Sequence, residues 1–223
     1  MAVTDEAIAR IQAMIVSGDL KPGQRLPPEK ELSETLGLSR SSLREAVKAL
    51  ELIRVLDVRR GDGTYVTTLE PSLLHEAMSF VIDMHADGSL IEMFEVRRIL
   101  EPSASVMAIQ HLDDAKIAEL RSMVDEVDES TTVEDLVAHD LQFHARVIEL
   151  SGNAYLASLL AALGSKTVRA RIWRGLTEEK AVARTLQEHH AIVDALERRD
   201  IELTRALVTV HVSGVESWLR RSM

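Results

Sequence analysis

From Pro71 to the C-terminus the chain shows no strand pattern of any length. Apolar residues instead recur at helical spacing over about 150 positions. The stripes predict helices at about 73–83, 90–111, 113–128, 133–151, 154–172, 178–199 and 201–221. Several starts carry capping signals: Ser89 with Glu92 as a capping box, then Asp113, Asn153, Thr177 and Asp200. Helices joined by loops this short predict an antiparallel all-α bundle. Leu, Val, Ala, Met and Ile fill the stripes, and aromatic residues are only 3% of the chain, so the core is aliphatic.

The first 70 residues read differently. Ile8, Ile11, Met14 and Ile15 share a helical face over Asp5–Ser17, and Gly18 to Gly23 ends it in a turn. Leu26 to Leu50 then reads as two short helices. Pro28 to Leu36 carries Leu32 and Leu36 on one face, and Gly37 supplies the left-handed stop. Ser39 caps the second helix, whose stripe is Leu43, Ala46, Val47 and Leu50. Arg40, Ser41, Ser42, Arg44 and Lys48 lie off that stripe. An apolar back with Arg and Ser at the first turn is the pattern of a major-groove recognition helix. The alternative is a helical hairpin with a solvated basic face. Next, Val55, Leu56 and Val58 lead into Arg59-Arg60-Gly61-Asp62-Gly63, and Thr64 to Thr68 follows, which predicts a β-hairpin. Three helices and a hairpin with a basic tip make a winged helix-turn-helix. Arg59 and Arg60 would meet phosphates or the minor groove, unless they belong to a solvated turn.

Pro71 and Ser72 place the boundary: residues 1–69 form the winged helix-turn-helix, and residues 70–223 the helical effector domain. The fold class is therefore mainly α, with one small β-hairpin wing. Net charge is −10, which argues against nucleic acid until its distribution is examined. Residues 1–70 hold ten Lys/Arg and eleven Asp/Glu, a net of −1, so residues 71–223 carry the other −9. An acidic second domain confines phosphate contact to the first. With no cysteine, a disulfide framework and thiolate chemistry are excluded. The N-terminus has no signal-peptide pattern, and no apolar run approaches the roughly 18 residues a membrane span needs. The expectation is a soluble cytoplasmic protein.

Polar residues intrude on the stripes of the helical domain. Val133, Val137, Asp140, His144 and Val147 share one face, so Asp140 and His144 lie side by side on the inner surface. His189 sits among Val182, Leu186, Val193 and Leu196, and His211 among Leu207, Val208, Val212 and Val215. Each is costly to bury alone, and a divalent transition metal satisfies all four. The set suits zinc foremost, and accommodates nickel, manganese or iron. Singly, each histidine also reads as a hydrogen-bonded core residue. His139 and His190 fall one residue off the stripes and read as second-layer or surface groups. Arg97 shares a face with Met93, Leu100 and Ala104; it either pairs with Glu101 or binds a ligand carboxylate. Arg171 and Arg174 are further candidates for that second role.

Three motifs carry a resemblance: Gly18-Asp-Leu-Lys-Pro-Gly-Gln-Arg-Leu-Pro-Pro-Glu-Lys-Glu-Leu, Leu38-Ser-Arg-Ser-Ser-Leu-Arg-Glu-Ala and Gly61-Asp-Gly-Thr-Tyr-Val. They resemble the N-terminal domain of GntR-family transcriptional regulators. The resemblance implies DNA contacts from Lys30, Ser39, Arg40, Ser42 and Arg44, with Arg60 and Gly61 in the wing. Lys30 stands where Arg is usual and lacks the bidentate fork. Arg54 stands where Gly is usual, so a different hairpin entry and an added phosphate contact are expected. Downstream, Glu95-Val-Arg-Arg-Ile-Leu-Glu-Pro, His139-Asp-Leu-Gln-Phe-His, Ser151-Gly-Asn and Glu188-His-His-Ala-Ile-Val-Asp-Ala-Leu, with His211, resemble the FadR-type FCD effector domain. That likeness implies a metal on Asp140, His144, His189 and His211, and a small carboxylate effector on Arg97. His190 stands where Arg is usual.

The combined expectation is a ligand-responsive regulator, most often a repressor in this family. A homodimer would read a palindromic operator in double-stranded DNA, with no membrane partner and a small organic acid as effector. Two other classes compete: a helical metal-dependent hydrolase fused to a nucleic-acid-binding module, and an architectural DNA-binding protein. The hydrolase lacks an HExxH motif and a second carboxylate placed as base. The architectural protein has no reason to bury four metal-type residues.

Overall fold

The structure, a computed structural model, describes residues 3–84 and 90–222. The Ser89 cap expected from the sequence lies outside the described residues. The chain falls into two compact units that divide between Leu73 and Leu74.

In the first unit, α1 (Val3–Ser17), α2 (Glu29–Leu36) and α3 (Arg40–Leu52) precede β1 (Leu56–Arg59) and β2 (Gly63–Val66). The strands pair antiparallel, with Leu56 opposite Val66 and Arg59 opposite Gly63. The segment before α2 joins them: Leu26 N–H donates to Thr64 O at 2.7 Å, and Val66 N–H to Gln24 O at 2.9 Å. Ile11, Leu32, Leu43, Ala46, Leu50, Leu56 and Val66 form the core. Gly37 takes the left-handed conformation (φ 62°) that ends α2. Ser39 caps α3, its Oγ accepting from Ser42 N–H at 3.1 Å. Arg54 also adopts a left-handed conformation (φ 56°). An arginine thus enters the hairpin through a left-handed backbone, the conformation that glycine adopts without strain.

α4 (Ser72–Met84) begins two residues before that division, and the second unit continues with α5 (Leu90–Ala108), a 3-10 turn (Ile109–His111), α6 (Asp114–Asp125) and α7 (Val133–Glu149). Then follow α8 (Ala154–Lys166), α9 (Val168–Thr177), α10 (Ala181–Glu197) and α11 (Ile201–Ser222). α11 packs along α5 and against α10, and α7 packs against α5, α8 and α9. Phe94, Leu120, Phe143, Val147, Ile192, Leu196 and Val212 fill the core. Asp113, Asn153 and Asp200 cap α6, α8 and α11 through backbone N–H groups three residues on.

The expected helix over 154–172 is instead two. Thr167, fully buried, separates α8 from α9. Its hydroxyl donates to Gly164 O at 2.9 Å and accepts from Arg97 Nη1 at 3.1 Å. A threonine that bonds the carbonyl of the preceding turn, and is pinned by a buried guanidinium, ends one helix and starts the next. Nor does Thr177 cap α10: its hydroxyl turns back to Trp173 O, and the helix begins after Lys180, which has φ 62°. The 90–111 helix tightens into its 3-10 turn after Ala108. Gly175 lets α9 press onto the start of α7, because a Cβ there would meet Val133 Cγ1 at 2.5 Å. Trp173 of α9 stacks edge-on against Trp218 of α11, ring centroids 4.8 Å apart.

Candidate functional site

In the first unit, α3 presents Ser39, Arg40 and Arg44 to solvent, and Lys30 is exposed on α2. Ser42 is half-buried, its hydroxyl 2.7 Å from that of Ser39. Arg44 does not stand free: its Nε lies 3.0 Å from both Glu29 oxygens, and Nη2 2.9 Å from Oε1. That hydrogen bonding lowers the Glu29 pKa and raises that of Arg44. On the wing, Arg59, Arg60 and Gly61 are exposed. Arg59 lies over the Tyr65 ring at 4.2 Å and donates to Asp57 at 2.8 Å. Arg25 reaches the carbonyl of Asp62 and so braces the wing tip, a contact that no sequence signal announced.

In the second unit, Asp140 and His144 project from consecutive turns of α7, and meet His189 from α10 and His211 from α11. All four are buried, and their donor atoms lie within 4.8 Å of one another. Asp140 Oδ1 is 3.1 Å from His189 Nε2, 3.5 Å from His211 Nε2 and 3.6 Å from His144 Nε2. His144 Nε2 and His211 Nε2 face each other at 3.0 Å. Donors about 2.1 Å from one ion, separated by tetrahedral or octahedral angles, lie roughly 3.0–3.4 Å apart. Four of the observed spacings, 3.0–3.6 Å, lie at or just above that edge length, and the whole set falls within 4.8 Å.

The outer partners agree. Glu188 Oε2 accepts from His211 Nδ1 at 2.8 Å, and Glu101 Oε2 lies 3.4 Å from His144 Nδ1. A carboxylate that accepts from Nδ1, as Glu188 does from His211, fixes the proton there and leaves Nε2 with a lone pair aimed inward. Two such lone pairs at 3.0 Å repel unless a proton or a cation lies between them. His189 has no hydrogen bond at either nitrogen, although Nε2 stands close to Asp140; its ring lies against Phe143, centroids 4.7 Å apart. A buried donor atom in this state fits a metal ligand.

Electrostatics prepare the group. Burial opposes ionisation of Asp140, but Arg171 and His144 outweigh it and hold the carboxyl well below its usual range. Burial lowers the His144 pKa and drives that of His189 down to about 4, so both rings are neutral at pH 7. His211 moves the other way: Asp140 and Glu188 overcome its burial and raise it.

Three buried arginines surround a cavity of about 40 Å³ beside this group. Arg171 of α9 pairs with Asp140, and Arg174 Nε donates to Glu178 at 2.5 Å. Arg97 of α5 pairs with Glu101 and holds Thr167. Arg97 thus does what the plain reading of its spacing expected, and also lines the cavity. Arg171 Nη2 and Arg174 Nη2 are buried without a hydrogen-bond partner, as is Glu101 Oε2.

His139 is buried, so of its two readings the surface one is corrected; neither ring nitrogen is hydrogen-bonded, Nε2 lies 4.0 Å from Glu126, and the residue stands outside the four. His190 turns away to Asp125 at 3.1 Å, and the group takes His189. Glu188 and Thr167 were missed. Both act across helices, and no local pattern marks such contacts.

Residues 92–214 match the family described as "FCD domain", and residues 3–66 match "Bacterial regulatory proteins, gntR family". The "Galactonate operon transcriptional repressor" of Escherichia coli K12 is 30% identical over 203 residues, covering 88% of each chain. The "HTH-type transcriptional regulator LutR" of Bacillus subtilis 168 is 27% identical over 212 residues, covering 92% of this chain and 96% of that one. Among solved structures, "Streptococcus agalactiae GntR" superposes with a TM-score of 0.68 at 24% identity, over 96% of this chain and 99% of that one. "E. coli McbR/YncC" gives 0.52 at 19%, over 100% and 99%. The structural likenesses establish the fold. Among the described residues no helix is long and apolar enough to cross a membrane. With its winged head matched to one model and its helical unit to the other, the chain belongs to the gntR family of bacterial regulatory proteins and carries an FCD domain: it is a transcriptional regulator, not an enzyme.

Proposed function

We propose that the chain is a homodimeric, effector-controlled repressor that acts in the bacterial cytoplasm on a palindromic operator. One domain, residues 1–69, reads DNA, and the other, residues 70–223, senses the effector. The observation that carries this reading is the buried group Asp140, His144, His189 and His211 beside two arginines with unused donors. These four residues would hold a divalent transition metal, zinc foremost, which supplies a Lewis-acidic centre for an oxygen ligand. Arg97, Arg171 and Arg174 set the charge around the adjoining space, which suits a small carboxylate such as a hydroxy acid or sugar acid.

Arg40 and Arg44 read base edges from α3, and Ser39 and Ser42 order its first turn. Lys30, Arg59, Arg60 and the Gly61 backbone take phosphates. The effector changes DNA affinity only to the extent that it binds the two states of the dimer differently. Arg97 links the cavity to Thr167, where α8 gives way to α9, and so couples ligand charge to that break.

Elemental analysis of the purified protein tests the reading. The wild type is expected to carry about one ion per chain, and His144→Ala or His189→Ala to lose it. Full occupancy in both variants sinks the site. Arg97→Lys keeps the charge that Glu101 needs and is expected to weaken the effector's release of operator DNA in a gel shift while the ion stays bound. A normal response moves the clamp to Arg171 and Arg174.

A further inference from the structure

Between α3 and the wing lies a groove of about 620 Å³. Arg44, Val47 and Lys48 line it from α3, Val58 and Thr64 from the two strands, and Arg25 from the segment before α2. The lining holds three cations and two acids, Glu29 and Glu51. Glu29 is committed to Arg44, and Lys48 bonds Glu45. Arg25 is the one lining cation with no carboxylate partner among the described residues.

The fold fixes where that charge stands. Gly23, Gln24 and Leu26 bond the second wing strand through backbone groups, and Arg25 faces Tyr65 across an antiparallel bridge. The Arg25 side chain then runs along the wing. Its Nη2 donates to Asp62 O, and a Cβ at Gly63 would collide with Nε and lie 3.0 Å from Cζ. Gly63 is thus the gap into which the guanidinium fits. A guanidinium has five N–H donors, and Asp62 O is its one hydrogen-bond acceptor among the described residues. The residue is exposed, so its other donors face solvent.

We infer that this groove seats the DNA backbone strand between the major groove, entered by α3, and the minor groove on the wing side, with Arg25 gripping its phosphate. The inference rests on the DNA reading of α3 and the wing, and adds a contact which that reading leaves out. Adjacent grooves of a duplex are divided by one phosphate strand. Two elements that engage both sides must straddle it, and the floor between them meets phosphates rather than bases. A phosphate is held best by charge not already spent. Arg44 and Lys48 must each give up an acid first; Arg25 has none to give up. Because the same guanidinium holds Asp62 O, a phosphate on it also sets the wing tip against the duplex.

Fluorescence anisotropy of the full-length protein on a labelled mixed-sequence duplex, at several salt concentrations, tests this. No operator is needed, because phosphate contacts are independent of sequence. Arg25→Gln keeps an amide donor for Asp62 O and removes the charge. It is expected to weaken binding by about threefold to tenfold, and to reduce the slope of log affinity against log salt by about one per chain. Arg25→Lys is expected to keep the wild-type slope; a slope as low as that of Arg25→Gln overturns the inference. So does an affinity loss in Arg25→Gln at unchanged slope, which would make Arg25 a brace for the wing and nothing more. Arg40→Ala, run alongside, marks the DNA reading itself. If it weakens binding and Arg25→Gln does not, the inference falls and that reading stands. Failure of the wild type to bind the duplex overturns both.

Discussion

Arg44 in the reading head and Arg171 in the effector domain are each held by one carboxylate, yet the two pairs live in different solvents. The side chains of Arg44 and Glu29 are 62% and 41% exposed; those of Arg171 and Asp140 are 6% and 8% exposed. Water screens the first pair, so it contributes little to stability and Arg44 can exchange Glu29 for a phosphate or a guanine edge. The second pair has no water to fall back on. Burial, with Arg97 pushing the same way, lowers the Arg171 pKa to about 10, while Asp140 and Glu101 oppose both, so the charge is kept. The same chemical pair is thus an exchangeable grip on the surface and a fixed charge in the interior.

Asp140→Ala gives the largest expected effect. In metal-free protein it strands Arg171 in the interior and is expected to cost about 3–5 kcal/mol of stability by denaturant unfolding. A loss below about 1 kcal/mol would erase the contrast. Next comes a pH effect. The folded state keeps His189 neutral down to about pH 4, whereas the unfolded chain takes up the proton near histidine's ordinary value of 6.5. Its contribution is fully present above pH 6.5 and lost as pH falls toward 4, about 3 kcal/mol at most. His211, with its raised pKa, acts with the opposite sign. The check is therefore a comparison of metal-free wild type with His189→Gln, whose melting temperature should fall less steeply over that window; parallel curves refute it.

In the head, Arg40→Ala or Arg44→Ala is expected to weaken operator binding by about tenfold to hundredfold with the fold intact. Unchanged gel-shift affinity would end the recognition-helix assignment. The smallest effect belongs to Glu29→Ala. It should leave the melting temperature unmoved, raise affinity for non-operator DNA by less than about tenfold, and narrow the specificity ratio. A clear loss of stability would mean that the exposed pair behaves like the buried one.

Legibility in the sequence follows the range of the contact. Ser39, Gly37, Asp113, Asn153 and Asp200 announce helix ends because their partners lie within three to five residues. Asp140 and His144 are legible as a pair because helical geometry sets them side by side. His189 and His211 are legible because a polar residue on an apolar stripe must find company. Thr167 is not, since what breaks the helix there is Arg97, 70 positions away. Thr177 failed as a cap because Trp173 O, within its own helix, accepts its hydroxyl. Arg171 and Arg174 were legible as candidates for a ligand carboxylate, but without the break at Thr167 their position on a separate α9 was not. Arg54 shows the reverse: the departure from glycine was visible, but not that arginine would take a left-handed backbone there.

The chain has two tryptophans, and they are the stacked pair Trp173 and Trp218. All of its indole emission therefore arises at one point. Trp173 is carried by α9 between Arg171 and Arg174 and is 47% exposed as a residue, while Trp218 is buried. The protein thus holds an optical probe beside the cavity that Arg97, Arg171 and Arg174 line. A ligand that shifts α9 against α11 will alter the edge-on contact between the rings, and unlabelled protein in a cuvette will report that movement as a change in intensity or colour.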